Sequence, residues 1–482
     1  MNNDCKKIEI IIFLITLFYA GYYLGPQLGN STAKYNAIHS VVEDGLNVPL
    51  FSINKFILDP YAGINTDDWS FYNGNFYSNK APGTILLGIP VYFVIANIQK
   101  LFGLDLNFPP IAYLNIYLIN VFISVLPLAF ASVCFYRLMS CFTKKNLELT
   151  LLLIFCTPLV PYSTSLWGHC TSCSFLIIGA YFLIKSKYKK DYFYSGLFLA
   201  FACSVDYFAI LAVVTILIFG ILKKTSSITS LILGGSVPIF LTLWYHYVCF
   251  GNIFATSTTY TNETFLDKNL FLGMFGVPNF EVLGILLMHP TKGVLSIVPI
   301  FILSFFALAV KKNKAILFLC LTCYFVSFSY FLWNSSFNGW HAGATVFFRY
   351  LIITSPFMVI LLTPLINIKN IILKLLTLLL AMLSALNIFV ITSVSTIPHF
   401  NSSNPLYGLL YPLFFKGELS YVKSYIRNAW VNPEEYKEYL HISSWNIGQL
   451  LGLDGLYSLI PLLLVIVTLL VLLNFYYKRI EN

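Results

Sequence analysis

Apolar residues in this chain come in long runs, at roughly 10–25, 84–102, 112–137, 149–165, 170–186, 193–206, 208–222, 228–248, 292–310, 315–333, 346–366, 372–392 and 456–476. A helix of about 17–25 apolar residues crosses a hydrocarbon core of about 30 Å. Helices satisfy their own backbone groups in lipid. A barrel would instead show short segments of alternating polarity, and no such alternation is present. The pattern therefore predicts an all-α, polytopic transmembrane bundle of about 11–13 spans, the lower count if neighbouring short runs merge. It forms a single integral membrane domain over 1–482, with no internal repeat or low-complexity linker.

Four polar segments exceed what connection requires: 26–83, 249–291, 334–345 and 393–455. Long loops in compact proteins are usually functional. In the first, Ala33, Ala37, Ile38, Val41 and Val42 recur at helical spacing, predicting an amphipathic helix at the membrane interface that ends at Glu43-Asp44-Gly45. The stretch from Asn65 to Gly83 is dense in aromatics, carboxylates and turn formers. The first loop is thus expected to be ordered, with interfacial helices. In the last loop, Ile397-Pro-His399 and Asn432-Pro-Glu-Glu435 read as turns or helix starts.

Charge supplies the orientation. Only 10% of residues are charged and 58% are hydrophobic, with mean hydropathy +0.77. The net charge of +9 gathers in clusters beside the spans: Lys6-Lys7, Lys144-Lys145, Lys187 to Lys190, Lys223-Lys224, Lys311-Lys312 and Lys478-Arg479. That is the positive-inside pattern, not a nucleic-acid surface. It places the long loops together on the opposite face, where sequons at Asn30, Asn262, Asn334 and Asn401 also fall. One conflict arises: three crossings by residue 138 put Lys144-Lys145 on the wrong side, unless segment 84–137 crosses once, a later pair merges, or the charge rule fails locally. The first run lacks a small-residue cleavage site and is expected to be a retained anchor. Ten cysteines include Cys170-Thr-Ser-Cys173 and Cys320-Leu-Thr-Cys323. Both pairs lie in apolar runs, where cysteine serves as a small packing residue rather than as a zinc ligand. No cofactor is expected to be required, and no His/Asp cluster compels a metal.

Certain residues carry candidate chemistry. Asp67-Asp68 either caps a short helix beginning at Trp69 or supplies a carboxylate, and Lys80 either snorkels or binds an anion. Arg349 sits a few residues into an apolar run with no acid nearby in sequence, where an ionisable group is costly and usually paired or functional. A planar guanidinium suits phosphate. Lys292 and His341 lie at the mouths of neighbouring spans. Asp206, between Val205 and Tyr207, marks a tight helical hairpin or pairs with a basic residue inside the bundle. His169 reads as a loop residue at a helix start.

The order of a first span, an interfacial helix, carboxylates and then Tyr77-Ser-Asn-Lys80-Ala-Pro-Gly83 leading into the next span resembles the first external loop of GT-C membrane glycosyltransferases. It is most similar to protein O-mannosyltransferases and lipid A aminoarabinose transferases, a family 39-like pattern. Phe275-Gly-Val-Pro278, His289-Pro-Thr-Lys-Gly293, Trp333 to His341 and Phe348-Arg349-Tyr350 agree with it. The resemblance implies transfer of a sugar from a polyprenyl-phosphate donor, within membrane lipid, to a protein, lipid or glycan acceptor on the external face of a bacterial inner membrane. It implies a first-loop acid as base, here Asp68 with Asp67 and Asp44 behind it. Lys80, Arg349 and Lys292 would hold phosphate, and Tyr77, His341 and Trp340 would contact substrate. The family's acidic pair after the first span is replaced by Ser31-Thr32-Ala-Lys34-Tyr35, so Asp68 is a substitute position. A transporter or flippase, and a glycan polymerase or ligase, are the competing readings.

Overall fold

The computed structural model describes residues 3–481 except 28, 59–65, 107, 223–226, 268, 272, 291, 311, 344, 398–403 and 421–443. Lys223-Lys224, Lys311, His399, the Asn401 sequon and Asn432-Pro-Glu-Glu435 therefore lie outside the described residues.

The chain runs α1 (Asn3–Gly21), β1 (Tyr23–Leu24), α2 (Gly29–His39), α3 (Asn54–Leu58), β2 (Trp69–Tyr72), β3 (Asn75–Ser78), α4 (Gly83–Leu101), α5 (Pro109–Asn120) and α6 (Leu126–Met139). It continues through α7 (Asn146–Phe155), α8 (Leu159–Ser163), α9 (His169–Ile184), α10 (Lys189–Val205), α11 (Ile210–Leu222) and α12 (Ile228–Phe250). Next come α13 (Phe280–Met288), α14 (Val294–Ile297), α15 (Lys314–Ser336), α16 (Ser355–Leu361), α17 (Thr363–Ile366) and α18 (Ile371–Val394), and Ile460–Glu481 is the last long helix. Among the described residues, seven helical stretches are long and apolar enough to cross a membrane. The protein is a multi-pass helical membrane protein. Several expected spans are shorter or broken: 149–165 divides at Pro158 into α7 and α8, and 292–310 becomes α14 followed by a 3₁₀ stretch, Pro299–Ala309. Proline cannot donate the helical hydrogen bond and breaks or tightens the ladder.

One end of the bundle collects Lys6-Lys7, Lys144-Lys145 and Lys478-Arg479. Arg137 grips Glu9 through two bonds, Nε to Oε1 at 2.6 Å and Nη2 to Oε2 at 2.5 Å. Lys7 lies over the Tyr476 ring at 4.6 Å, Tyr477 donates to the Lys144 carbonyl at 3.2 Å, and Asn367 donates to Thr143 at 3.3 Å. The N-terminus, the 140–145 loop, the 367–370 loop and the C-terminal helix thus share a face.

The crossing conflict resolves at α4. Tyr117 donates to the Gly21 carbonyl at 2.7 Å and Asn120 to the Ser163 carbonyl at 2.6 Å, so residues 117–120 stand level with the far ends of α1 and α8. Gly88 packs on Ile119, and Gln99 donates to Asn115 at 2.6 Å. Helix 110–139 is continuous through a π turn at Val121–Val125, so residue 115 is farther from Arg137 than residue 119. α4 therefore runs away from the basic end and α5 brings the chain back. Segment 84–137 thus traverses the length of the bundle once, and α4, though long and apolar enough to cross a membrane, does not run toward the basic face.

α2 departs from its expectation. All ten residues from Asn30 to His39 are buried, so it has no lipid-facing side. α2 and α4 run side by side, with Ile38 against Gly88 and Lys100 paired with Glu43 at 3.0 Å. Together with α5 they enclose a second apolar core at the outer end, containing Tyr35, Ile38, Phe56, Tyr92, Ile116, Ile119, Tyr77 and Phe250. A face patterned for an interface is instead spent on protein. The same burial reaches two of the four sequons, since Asn30 and Asn334 are buried.

Candidate active site

The site is built on a hairpin. Asn73-Gly74, with φ of +48° and +79°, makes the turn between β2 and β3, a dipeptide suited to tight hairpins because both positions tolerate left-handed backbone. The register pairs Trp69 with Ser78, and the Asn79 amide donates to the Asp68 carbonyl at 3.3 Å. Asp68 and Lys80 therefore flank the open end of the hairpin, and Lys80 Nζ donates to Asp68 Oδ1 at 2.7 Å. Trp69 begins a strand, so the helix-capping alternative for Asp67-Asp68 is overturned. The Asp68 amide donates to Thr66 Oγ1 at 3.1 Å, and Thr66 Oγ1 donates to the Gly29 carbonyl at 2.7 Å, fastening the acid to the start of α2. Burial disfavours the charged carboxylate, but the Lys80 charge and hydrogen bond, with Arg349 beyond, hold Asp68 below its ordinary value. The Lys80 and Asp68 side chains remain 22% and 19% exposed, so the pair opens to solvent on one side.

Lys34 enters the same neighbourhood from α2. It is 1% exposed, and Nζ donates to the Trp167 carbonyl at 2.5 Å and the Leu166 carbonyl at 3.2 Å. Burial first, then the Lys80 charge, pushes its ammonium well below the ordinary lysine value. The carbonyls it grips precede Gly168, whose φ of +88° turns the chain into α9. Left-handed backbone of this kind is costly for any residue but glycine. Arg349 completes the group. Its guanidinium lies over the Trp167 ring at 5.7 Å and the Tyr350 ring at 5.3 Å, Nη2 donates to Tyr350 Oη at 3.4 Å, and Nε is buried with no hydrogen-bond partner among the described residues. Lys80, Asp206, Arg349 and Asp68 all act electrostatically on Lys34, and Asp68 acts on Arg349.

Lys292 borders the group. It donates to the His341 carbonyl at 2.9 Å and, in a short contact, to the Gly343 carbonyl. Burial, then Arg349, brings its ammonium down to about 8. His341 is exposed, with Nδ1 accepting from the Gly343 amide at 3.1 Å. Trp340 packs its ring on Phe348 at 6.2 Å, next to Arg349.

No family model matches this chain, and no curated protein does. Among solved structures, the crystal structure of ArnT from Cupriavidus metallidurans in the apo state aligns with a TM-score of 0.43 at 12% identity, over 75% of this chain and 60% of that one. The chain thus spans less than two thirds of that protein's length.

The structure brings Asp68, Lys80 and Arg349 into one neighbourhood, with Lys292, His341 and Trp340 at its margin. Three expected site residues fall elsewhere or on its edge. Asp44 pairs with Lys55 at 3.8 Å, ten residues beyond Lys34 and so about 15 Å along the helix axis. Tyr77 is buried in the second core against Phe250 at 5.6 Å, because alternate hairpin residues face opposite sides. Asp67 is exposed. Three residues were not expected: Lys34, His169 and Trp167. The signal for Lys34 was present, since it precedes Ala37 and Ile38 by three and four positions and therefore shares their face. Both alternatives for Asp206 hold: it ends α10 in a tight turn, and it bonds His169 at 2.9 Å. His169 opens α9, as expected of a residue at a helix start, but it is paired and buried. The CxxC cysteines are buried free thiols in α9 and α15. Among the described residues, no group of three or more His, Cys, Asp or Glu side chains is arranged to hold a metal ion.

Proposed function

We propose that this chain is a membrane glycosyltransferase of GT-C type, moving a sugar from a polyprenyl-phosphate donor to a hydroxyl or amine acceptor at the end of the bundle opposite the basic loops. The observation that carries the reading is the meeting of one carboxylate, Asp68, with Lys80, Lys34 and Arg349 where helices emerge from the bundle. Cations in excess of carboxylates suit an anionic headgroup. A lipid carrier presents its phosphate at this depth, which a water-soluble donor would not require.

In this reading the acceptor's lone pair attacks the anomeric carbon from the face away from phosphate, giving inversion. The C–O bond to phosphate breaks and its electron pair stays on the phosphate oxygen. Lys80 and Arg349, with Lys292 beside them, neutralise the charge that builds there. Asp68 takes the acceptor's proton. Its carboxylate is bound to Lys80 in this structure, so the proton-accepting form arises once phosphate has drawn Lys80 to itself. Donor and acceptor thus compete for the two halves of one ion pair, coupling binding to activation. We place the protein in a bacterial inner membrane with this site external. The experiment is transfer from lipid-linked sugar in membranes carrying Asp68→Asn or Lys80→Ala at wild-type expression: loss in both supports the reading, and wild-type rates in both remove it.

A further inference from the structure

One pair of ionisable side chains beside this cluster has no part in the chemistry above. His169 is the first residue of α9, and Asp206 links α10 to the 3₁₀ turn Tyr207–Ala209. His169 Nδ1 and Asp206 Oδ2 lie 2.9 Å apart, and Asp206 Oδ1 accepts the Phe208 amide at 3.2 Å. An ionised carboxylate only accepts, so Nδ1 carries the hydrogen. Burial, with the Arg349 and Lys34 charges beside it, holds the ring below its ordinary pKa against the pull of Asp206. The imidazole is therefore neutral, and Nε2 presents a lone pair. That Nε2 is buried and has no hydrogen-bond partner among the described residues. Buried polar atoms are nearly always paired, and a ring fixed by its other nitrogen cannot turn away to find a partner. The site therefore calls for a donor from beyond the described residues, and a bound ligand at this place would supply one.

The position of the ring indicates which donor. His169 packs edge-on against Tyr350 with centroids 5.6 Å apart. Tyr350 in turn underlies the Arg349 guanidinium and accepts from its Nη2. One aromatic ring thus separates His169 from the cation assigned to phosphate. What stands one ring away from the phosphate of a glycosyl phosphate is the sugar.

We infer that His169 Nε2, its tautomer set by Asp206, accepts a hydrogen bond from a ring hydroxyl of the sugar carried on the lipid phosphate, so that His169 is a specificity-determining residue and Asp206 a positioning residue. The inference rests on the transferase reading for the identity of the ligand. A site built to accept from a hydroxyl discriminates strongly against a ligand that lacks it, and this one tells a glycosylated carrier from the bare carrier.

The test is a ratio, measured on the purified full-length protein in detergent by native mass spectrometry. The probes are undecaprenyl phosphate and its glucosyl, mannosyl and pentosyl derivatives. For wild type, at least one glycosylated probe binds roughly tenfold or more tighter than the bare lipid, the worth of one good buried hydrogen bond. His169→Ala and Asp206→Asn bring that ratio to about one while leaving bare-lipid affinity within about twofold. His169→Gln, whose amide oxygen also accepts, keeps part of the preference and guards against loss of fold. Equal weakening for bare and glycosylated lipid would show that the pair only clamps α9 to α10, and would overturn the inference, as would a wild type with no preference for any glycosylated probe. Arg349→Ala separates the two proposals. If bare undecaprenyl phosphate still binds it at wild-type strength, the phosphate assignment beneath the transferase reading fails, whatever His169 does.

Discussion

Asp68 and Lys80 stand twelve positions apart in the chain and 2.7 Å apart in space, because the strands between them pair without a bulge and return the backbone in register. The hairpin is the device that makes a local sequence feature into an ion pair at a bundle mouth. Its own bonds position the pair before any substrate arrives. Asp68→Asn should lower glycosyl transfer by at least roughly 100-fold, the lower range for loss of a general base. Lys80→Ala should do the same while leaving the protein folded, as read by elution profile and thermal unfolding.

The pair also sets an acid limit. The folded pKa of Asp68 is depressed, so its contribution to stability is fully present above the ordinary carboxylate value and is lost as pH falls through the lower folded value. Thermal stability should therefore be flat with respect to this group through the neutral range and fall only below the normal carboxylate range. Asp68→Asn should remove that part of the acid limb. A midpoint for the wild-type limb near neutrality would assign it to another group.

Lys34 is held by two carbonyls inside protein rather than by a carboxylate. Lys34→Met fills the same space without donors and leaves both carbonyls unmatched, for a loss of about 1–3 kcal/mol of stability. Chemical denaturation in detergent measures it. Donor-lipid binding should weaken in the same variant because one cation leaves the cluster, and undiminished binding would show that Lys34 does not act on the donor.

Gly29 permits the acid to approach α2. A Cβ at that position would stand 2.7 Å from Asp68 Oδ2, closer than real Cβ contacts occur, so Gly29→Ala should displace the carboxylate. The expected result is reduced transfer with nearly wild-type unfolding, and unchanged activity would show that the Asp68 position is not critical.

The hairpin made by α4 and α5 carries a topological consequence. Asp105 lies in their connection, on the site's side of the bundle, and Cys141 is exposed near the basic face. A membrane-impermeant thiol reagent applied to right-side-out vesicles should label Asp105→Cys and spare Cys141, and inverted vesicles should reverse the outcome. Labelling of Cys141 with sparing of Asp105→Cys in right-side-out vesicles contradicts the single crossing by 84–137.

The sequence by itself determined that this is a helical membrane protein with its basic loops on one face, because hydropathy and lysine placement act locally and need no partner. It also singled out Asp68, Lys80 and Arg349, since charge at the mouth of an apolar run is conspicuous wherever the run packs. Tertiary structure alone decided the rest. α2 has the periodicity of an interfacial helix, yet α4 and the 164–168 segment cover it, and no pattern within ten residues reports what will cover a face. α4 has the length and hydropathy of a span, yet its packing on α2 and α5 turns it from the basic side. His169 and Asp206 are thirty-seven residues apart and meet only because α9 and α10 end at one level, a coincidence of helix lengths that spacing along the chain does not encode.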